Sequence, residues 1–329
     1  MKQLTVLLML TLFSVWFAGC EKESTAALNT AETEINEMIL DDNEEYFEDE
    51  FGFIDSESAT SEDEFVDFSK ESFISKNPEE LLDVFKFGRI VNRDSVERFV
   101  NIRVEGDTAF VHVETELQGR FVILEKLDDN GDTLVRHMKP LKHFVQKNAV
   151  YVKRDNENQH RRRWRMLELS GGVGHSPNNT VSILKIKVVS GLTGQEYIFD
   201  NPLENMYELP DNLPVFPMGD EVTVTVTVEN TSSNPVLHEN GATESVFLHY
   251  GMRPRVKRNR HPMPYIGQDN EGNKMYENTW TVNRPALLSY HAVIDVIDNG
   301  TIFKADADTY PYNSMTWGFP YRVHPDQGN

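Results

Sequence analysis

The sequence predicts two folded units, the first α+β and the second all-β, preceded by a disordered acidic segment. Three observations carry this. Apolar residues recur at helical spacing up to about residue 99 and at a period of two afterwards. Beyond residue 180, short alternating segments follow one another between turn residues. Charge is concentrated: of a formal net −21, residues 21–70 hold 18 Asp/Glu against only Lys22 and Lys70. The 329 residues suit about two domains. A single Cys excludes a disulfide scaffold and a Cys-based zinc site. The acidic balance argues against nucleic acid as partner, because phosphate binding needs a positive face. No motif for a metal or cofactor is present, so none is expected.

The chain opens with Met1-Lys2, a short positive region, followed by an apolar run over 4–18. Fifteen residues are too few for a transmembrane helix, which needs about 20, and suit the apolar region of an export signal. The run ends in Phe17-Ala18-Gly19-Cys20. This resembles the lipobox of bacterial lipoproteins, in which small residues precede a Cys that is lipidated and becomes the mature N-terminus. Phe17 departs from the Leu usual there. The resemblance implies a signal peptide over 1–19, lipidation of Cys20 and a membrane partner. Glu21 after the Cys, by analogy with lipoprotein sorting, implies the outer membrane of the cell envelope.

Residues 20–71 read as a disordered tether, because so charged and apolar-poor a segment cannot offset its chain entropy by burial. A flexible chain of this length spans roughly 40 Å. It serves as a spacer, or docks through Tyr46, Phe47, Phe51, Phe53, Phe65 and Phe68 on a basic apolar groove, or binds calcium loosely. The spacing of Ala31, Ile35, Met38 and Ile39 allows a short transient helix. The tether is expected to touch one of the two basic stretches described below.

Residues 72–172 form the α+β unit. Asn77-Pro78-Glu79-Glu80 is a helix start, with a capping Asn, Pro at the first position and acids at the positive end. Leu81, Leu82, Phe85, Ile90 and Val91 then supply a buried face. Residues 94–99 read as a second short helix. Strands follow over 108–115 and 120–125, a hairpin turn at Asp128-Asp129-Asn130-Gly131-Asp132, and further strands at 149–152 and 163–169. Two helices and then an antiparallel sheet resemble the NTF2-like (cystatin-like) cone, with Trp164-Arg165-Met166-Leu167-Glu168-Leu169 as its last strand. The resemblance implies either a binding module or a pocket enzyme. In the second case His112, Glu114, His137 and His143 are first suspects, with Glu125 and Asp132 near the last two as carboxylates for a general base. Arg161, Arg163 and Arg165 share one strand face, which is either solvated or binds anions.

Residues 173–179 read as a Gly-rich linker, without the Lys-Ser/Thr of a phosphate loop. Residues 180–329 are all β. Glu221-Val222-Thr223-Val224-Thr225-Val226-Thr227-Val228-Glu229 alternates strictly, and strands are expected over 181–189, 245–250, 278–282, 289–298 and 321–323, with a turn at Asp298-Asn299-Gly300. About seven short strands resemble an immunoglobulin-like sandwich without its Cys pair. Arg253, Arg255, Lys257, Arg258 and Arg260 form a basic loop, solvated or used in recognition. Tyr310, Tyr312, Trp317, Phe319 and Tyr321 either cover a sheet edge or make a platform for sugar rings.

Together these features point to a lipid-anchored envelope protein, non-enzymatic, acting as an interaction or scaffold module toward an anionic envelope component or a protein. A carbohydrate- or peptidoglycan-binding lipoprotein and an enzyme with a pocket in the cone are the alternatives.

Overall fold

The computed structural model describes residues 25–41, 47, 73–74, 81–127, 133–154, 163–209, 211–252, 259–283 and 289–324. Helix α1 spans Thr25–Leu40. Ala31, Ile35, Met38 and Ile39 fall on one helical face and are buried, Ile35 and Ile39 completely. The expected disorder of 20–71 is corrected for 25–41, where four apolar residues at the right spacing dock a helix while its acids point outward or pair at the rim; 20–24, 42–46 and 48–71 lie outside the described residues. Phe47 is buried in the same cluster. The other acidic-segment aromatics, Tyr46, Phe51, Phe53, Phe65 and Phe68, lie outside the described residues.

Strand β1 (Phe73–Ile74) is followed by β2 (Val84–Val91), a 3₁₀ turn (Arg93–Ser95), β3 (Glu97–Glu105), β4 (Thr108–Lys126) and β5 (Leu134–Lys153). The two helices expected between 77 and 99 are therefore corrected. Asn77-Pro78-Glu79-Glu80 lies outside the described residues. Beyond it, β2 pairs with the second half of β4, from Val84↔Glu125 to Val91↔Gly119. Phe87 and Arg89 thereby face inward together. The apolar residues that mimic a helical face are claimed by strand pairing, since tertiary context overrides local spacing. β4 and β5 are single long strands paired from Thr108↔Val152 to Lys126↔Leu134. The expected hairpin turn at 128–132 lies outside the described residues, but the strands on either side of it pair as a hairpin requires.

Then come β6 (Trp164–Ser170), β7 (Gly172–His175), β8 (Val181–Ser190), β9 (Glu196–Phe199), β10 (Met206–Glu208), β11 (Val215–Pro217), β12 (Glu221–Asn230), β13 (Leu237–His238), β14 (Glu244–Met252), β15 (Asn259–Pro262), β16 (Tyr265–Gln268), β17 (Lys274–Thr281), β18 (Ser289–Asp298), the short helix α2 (Asn299–Phe303) and β19 (Ser314–His324). Asp298 does not open a turn, as expected, but caps α2 by accepting from the Gly300 N–H.

The 173–179 stretch is no linker at its start. β7 pairs with β5 on one side and β19 on the other. Its glycine has a packing reason: a Cβ on Gly174 would stand 2.2 Å from Thr316 Oγ1 and 2.5 Å from His143 Nε2. β7 thus joins both halves of the chain into one twelve-stranded sheet, running β10-β6-β5-β7-β19-β18-β14-β15 with β2, β3, β4 and β11 branching from it. A five-stranded sheet, β16-β17-β12-β8-β9, packs on one face of it. Val222, Val224, Val226 and Val228 point into that shared core with no exposure, as their alternation predicts.

The large sheet curls. Phe87, Phe121, Ile123 and Leu141, from β2, β4 and β5, lie against Phe247, Ile297, Ile302 and Phe303. β18 is therefore covered on both faces, which explains why every residue from 292 to 298 is buried and its sequence reads as a near-continuous apolar run. α1 closes the outlying end of the sheet over Ala109, Val111, Ala149, Tyr151 and Trp164. The protein is mostly β with a curled antiparallel sheet. The helices on which an α+β reading of 72–172 rests are absent among the described residues.

Candidate functional site

Where the curled sheet closes, the inward register of β2, β5, β18 and β19 brings polar side chains into an apolar interior. Arg89 donates from Nη1 to Asp295 Oδ2 at 2.6 Å and from Nη2 to Asp295 Oδ1 at 2.8 Å, a bidentate pair with both side chains fully buried. Arg89 Nη2 also reaches Ser314 Oγ at 2.9 Å, and Nε donates to the Tyr312 hydroxyl at 2.8 Å. That hydroxyl lies 3.1 Å from His143 Nδ1. His143 Nε2 is 3.5 Å from Thr316 Oγ1.

The electrostatics assign the protons. Burial opposes the Asp295 charge, but Arg89 outweighs it and holds the carboxyl far below the usual range. Burial likewise opposes the Arg89 cation, and Asp295 more than compensates. His143, desolvated and beside Arg89, is pushed down to about 3 and is neutral. Arg89 donates to the Tyr312 oxygen, and the Tyr312 hydroxyl and His143 Nδ1 are within hydrogen-bond reach, so the neutral ring bonds Tyr312 as donor or acceptor according to its tautomer. Burial raises the Tyr312 pKa, keeping it a phenol. Polar contacts thus run from the ion pair through Tyr312 and His143 to Thr316.

Two more buried groups border this centre. His249 lies 3.8 Å from Asp295 Oδ2 and is pushed down to about 4, chiefly by burial. Lys139 donates to the carbonyls of Gly300 at 2.9 Å and Tyr310 at 2.6 Å. Burial pulls its pKa down to about 7, with Asp298 and Asp306 opposing the fall. Tyr312 also lines an open cleft of about 560 Å³ with Gln118, Lys142, Pro177, Asn178 and Asn313. Lys142 is already engaged by Glu116 at 2.7 Å. The arrangement is built to hold β2, β5, β18 and β19 in register.

The enzyme suspects are placed apart. His112 Nδ1 faces Asn148 Oδ1 at 2.8 Å, and Glu114 accepts from Gln146 at 2.6 Å. His137 does find a carboxylate, Glu125, at 2.7 Å. At about 3.3 Å per residue it lies roughly 20 Å along β5 from His143, so the two share no site. Asp132 lies outside the described residues.

Among the basic residues, Arg163 pairs with Glu34 of α1 at 2.9 Å, and Arg165 is exposed. Arg161 lies outside the described residues, as do Arg253, Arg255, Lys257 and Arg258. Arg260 belongs to no solvent loop: its guanidinium lies 4.4 Å over the Phe87 ring and donates to the Phe87 carbonyl at 3.1 Å. Trp317, expected in a platform, is 6% exposed in the sandwich core, and Tyr312, Phe319 and Tyr321 are buried too. Trp317, Phe319 and Tyr321 alternate along β19 and turn into the core, while Tyr312 precedes that strand. Tyr310 alone among the five is partly exposed.

Arg89, Asp295, His249 and Lys139 escape sequence reasoning because charge reads as surface. The signal is parity: Phe87-Gly88-Arg89 and Val293-Ile294-Asp295-Val296-Ile297 each put a charge where the alternation demands an apolar residue. No protein-family model matches the chain, and comparison with curated proteins gives no match.

Proposed function

We propose that this chain is a bacterial lipoprotein, anchored in the cell envelope through lipid on Cys20, most naturally in the outer membrane, whose body is a non-enzymatic interaction or scaffold module. The observation that carries the reading is the apolar run over 4–18 ending in Ala18-Gly19-Cys20, with Cys20 the single thiol of the protein. A rigid body suits a scaffold: the buried Arg89 and Asp295 satisfy each other and Lys139 is held by two carbonyls, which fixes geometry and leaves the surface to partners. The two stacked sheets are read as an immunoglobulin-like sandwich. An NTF2-like reading of 72–172 keeps only its long curved sheet as support. Arg165, exposed on β6, is a described basic side chain open to an anionic partner.

The test is Cys20→Ser in cells fed a labelled fatty acid. The parent protein is expected to carry label and sediment with membranes. The variant is expected to lose both. Label retained by the variant overturns the anchor.

A further inference from the structure

We infer that the body rests against the bilayer surface, held there by a leash of only the residues between Cys20 and α1, and that the acidic segment after α1 does not act as a spacer. The inference rests on the lipid anchor proposed above and adds where the body stands.

Chain length limits how far the body can stand from the membrane. A fifty-residue flexible tether would let the body wander roughly 40 Å from the membrane. But α1 starts at Thr25 and is docked: Ile35 and Ile39 are fully buried beneath the sheet, and Met38 and Ala31 nearly so. Glu34 clasps the start of β6, taking the Arg163 Nε–H at 2.9 Å while also facing the backbone N–H of Arg163. Burying two isoleucines stabilises the dock far more than a rim ion pair adds. Only residues 21–24 then separate Cys20 from the docked helix. Five Cα steps at about 3.5 Å span at most roughly 18 Å even when fully extended.

The other end of the acidic stretch is fixed as well. Phe73–Ile74 pairs antiparallel with Leu237–His238. Residues 41–72, with 14 Asp/Glu and one Lys, thus begin and end on the folded body. Whatever they do, their length adds nothing to the distance from the membrane. The partner surface that follows is the lipid headgroup layer, facing the side of the body where α1 begins.

The experiment is neutron reflectometry of the mature lipoprotein in a supported bilayer, after mass spectrometry has established acylation of Cys20. The body is expected to begin within about 20 Å of the headgroups. Inserting thirty Gly/Ser residues after Glu23, which leaves every described contact in place, is expected to lift it by about 30 Å. The double substitution Ile35→Asp with Ile39→Asp, which undocks α1, is expected to lift it as well. A gap of tether length in the parent, or an insertion that leaves the height unchanged, overturns the inference. In a second arm the chain from residue 20 is coupled through its Cys20 thiol to a maleimide lipid. This reads the same height without native lipidation. Absent acylation together with a short gap in this arm would sink the anchor while sustaining the leash geometry. A long gap here would sink the leash alone.

Discussion

The Arg89 guanidinium on β2 grips the Asp295 carboxylate on β18 with two hydrogen bonds of 2.6 and 2.8 Å, across 206 positions of sequence and with no solvent on either group. Removing one partner leaves an uncompensated buried charge. Asp295→Leu or Arg89→Met alone is expected to cost about 3–5 kcal/mol. The double variant is expected to recover more than half of that, because the loss lies in the orphaned charge. Urea unfolding of all four proteins closes the cycle. Additive losses would mean that the pair does not act as a unit.

Stability is expected to rise with pH in two windows. His143 and His249 have native values of about 3 and about 4, against about 6.5 in the unfolded chain. Between those limits the unfolded state binds protons that the native state refuses, so stability grows as pH rises from about 4 to 6.5. Each group contributes up to about 1.4 kcal/mol per pH unit. Lys139, at about 7 in the fold, acts in the same sense from about pH 7 to 10, since it is still protonated there when unfolded. His143→Asn is expected to flatten the acid window and leave the alkaline one intact. Denaturant midpoints across pH 4–10 check this. An unchanged acid slope in the variant would show that His143 does not carry it.

The strands were legible where one face is buried and the other is wet. Val222 to Val228 alternate cleanly because sheet and solvent impose opposite demands on successive residues. Legibility fails where both faces are covered. At 84–91, apolar residues on both sides of β2 erase the period of two and leave a spacing that imitates a helix. The site was hidden for a related reason. Arg89, Asp295 and Lys139 are inward by parity, but each becomes tolerable there only through partners more than 150 positions away. α1 was visible in its spacing, and the surrounding charge obscured that it docks.

Gly174→Ala should be costly although the change is one methyl group. The new Cβ would fall 2.2 Å from Thr316 Oγ1 and 2.5 Å from His143 Nε2, both side chains fully buried. Overpacking of this kind costs about 1–3 kcal/mol. Thr316→Ala in the same protein removes the nearer clash and is expected to restore part of the loss. Gly119→Ala, by contrast, meets the Ile90 carbonyl oxygen at 2.0 Å. Backbone cannot step aside as a side chain can, so no single neighbouring substitution is expected to rescue it. Thermal melts of the three variants decide between these outcomes.

The glycine-rich stretch from 171 would ordinarily invite proteases, yet it is expected to resist them. Gly172 and Gly174 lie in a strand bonded on both sides, to Phe144–Gln146 of β5 and to Met315–Gly318 of β19. Cleavage there needs the sheet to open, and opening it separates Arg89 from Asp295 and uncovers both large cores. The described body from β2 to β19 is therefore expected to unfold in one transition, with calorimetric and van't Hoff enthalpies equal. Backbone amides of β7 are expected to exchange only through that global opening. A native-state cut within Gly172–His175, or two separate transitions assigned to either side of it, would show that the shared sheet does not couple the halves.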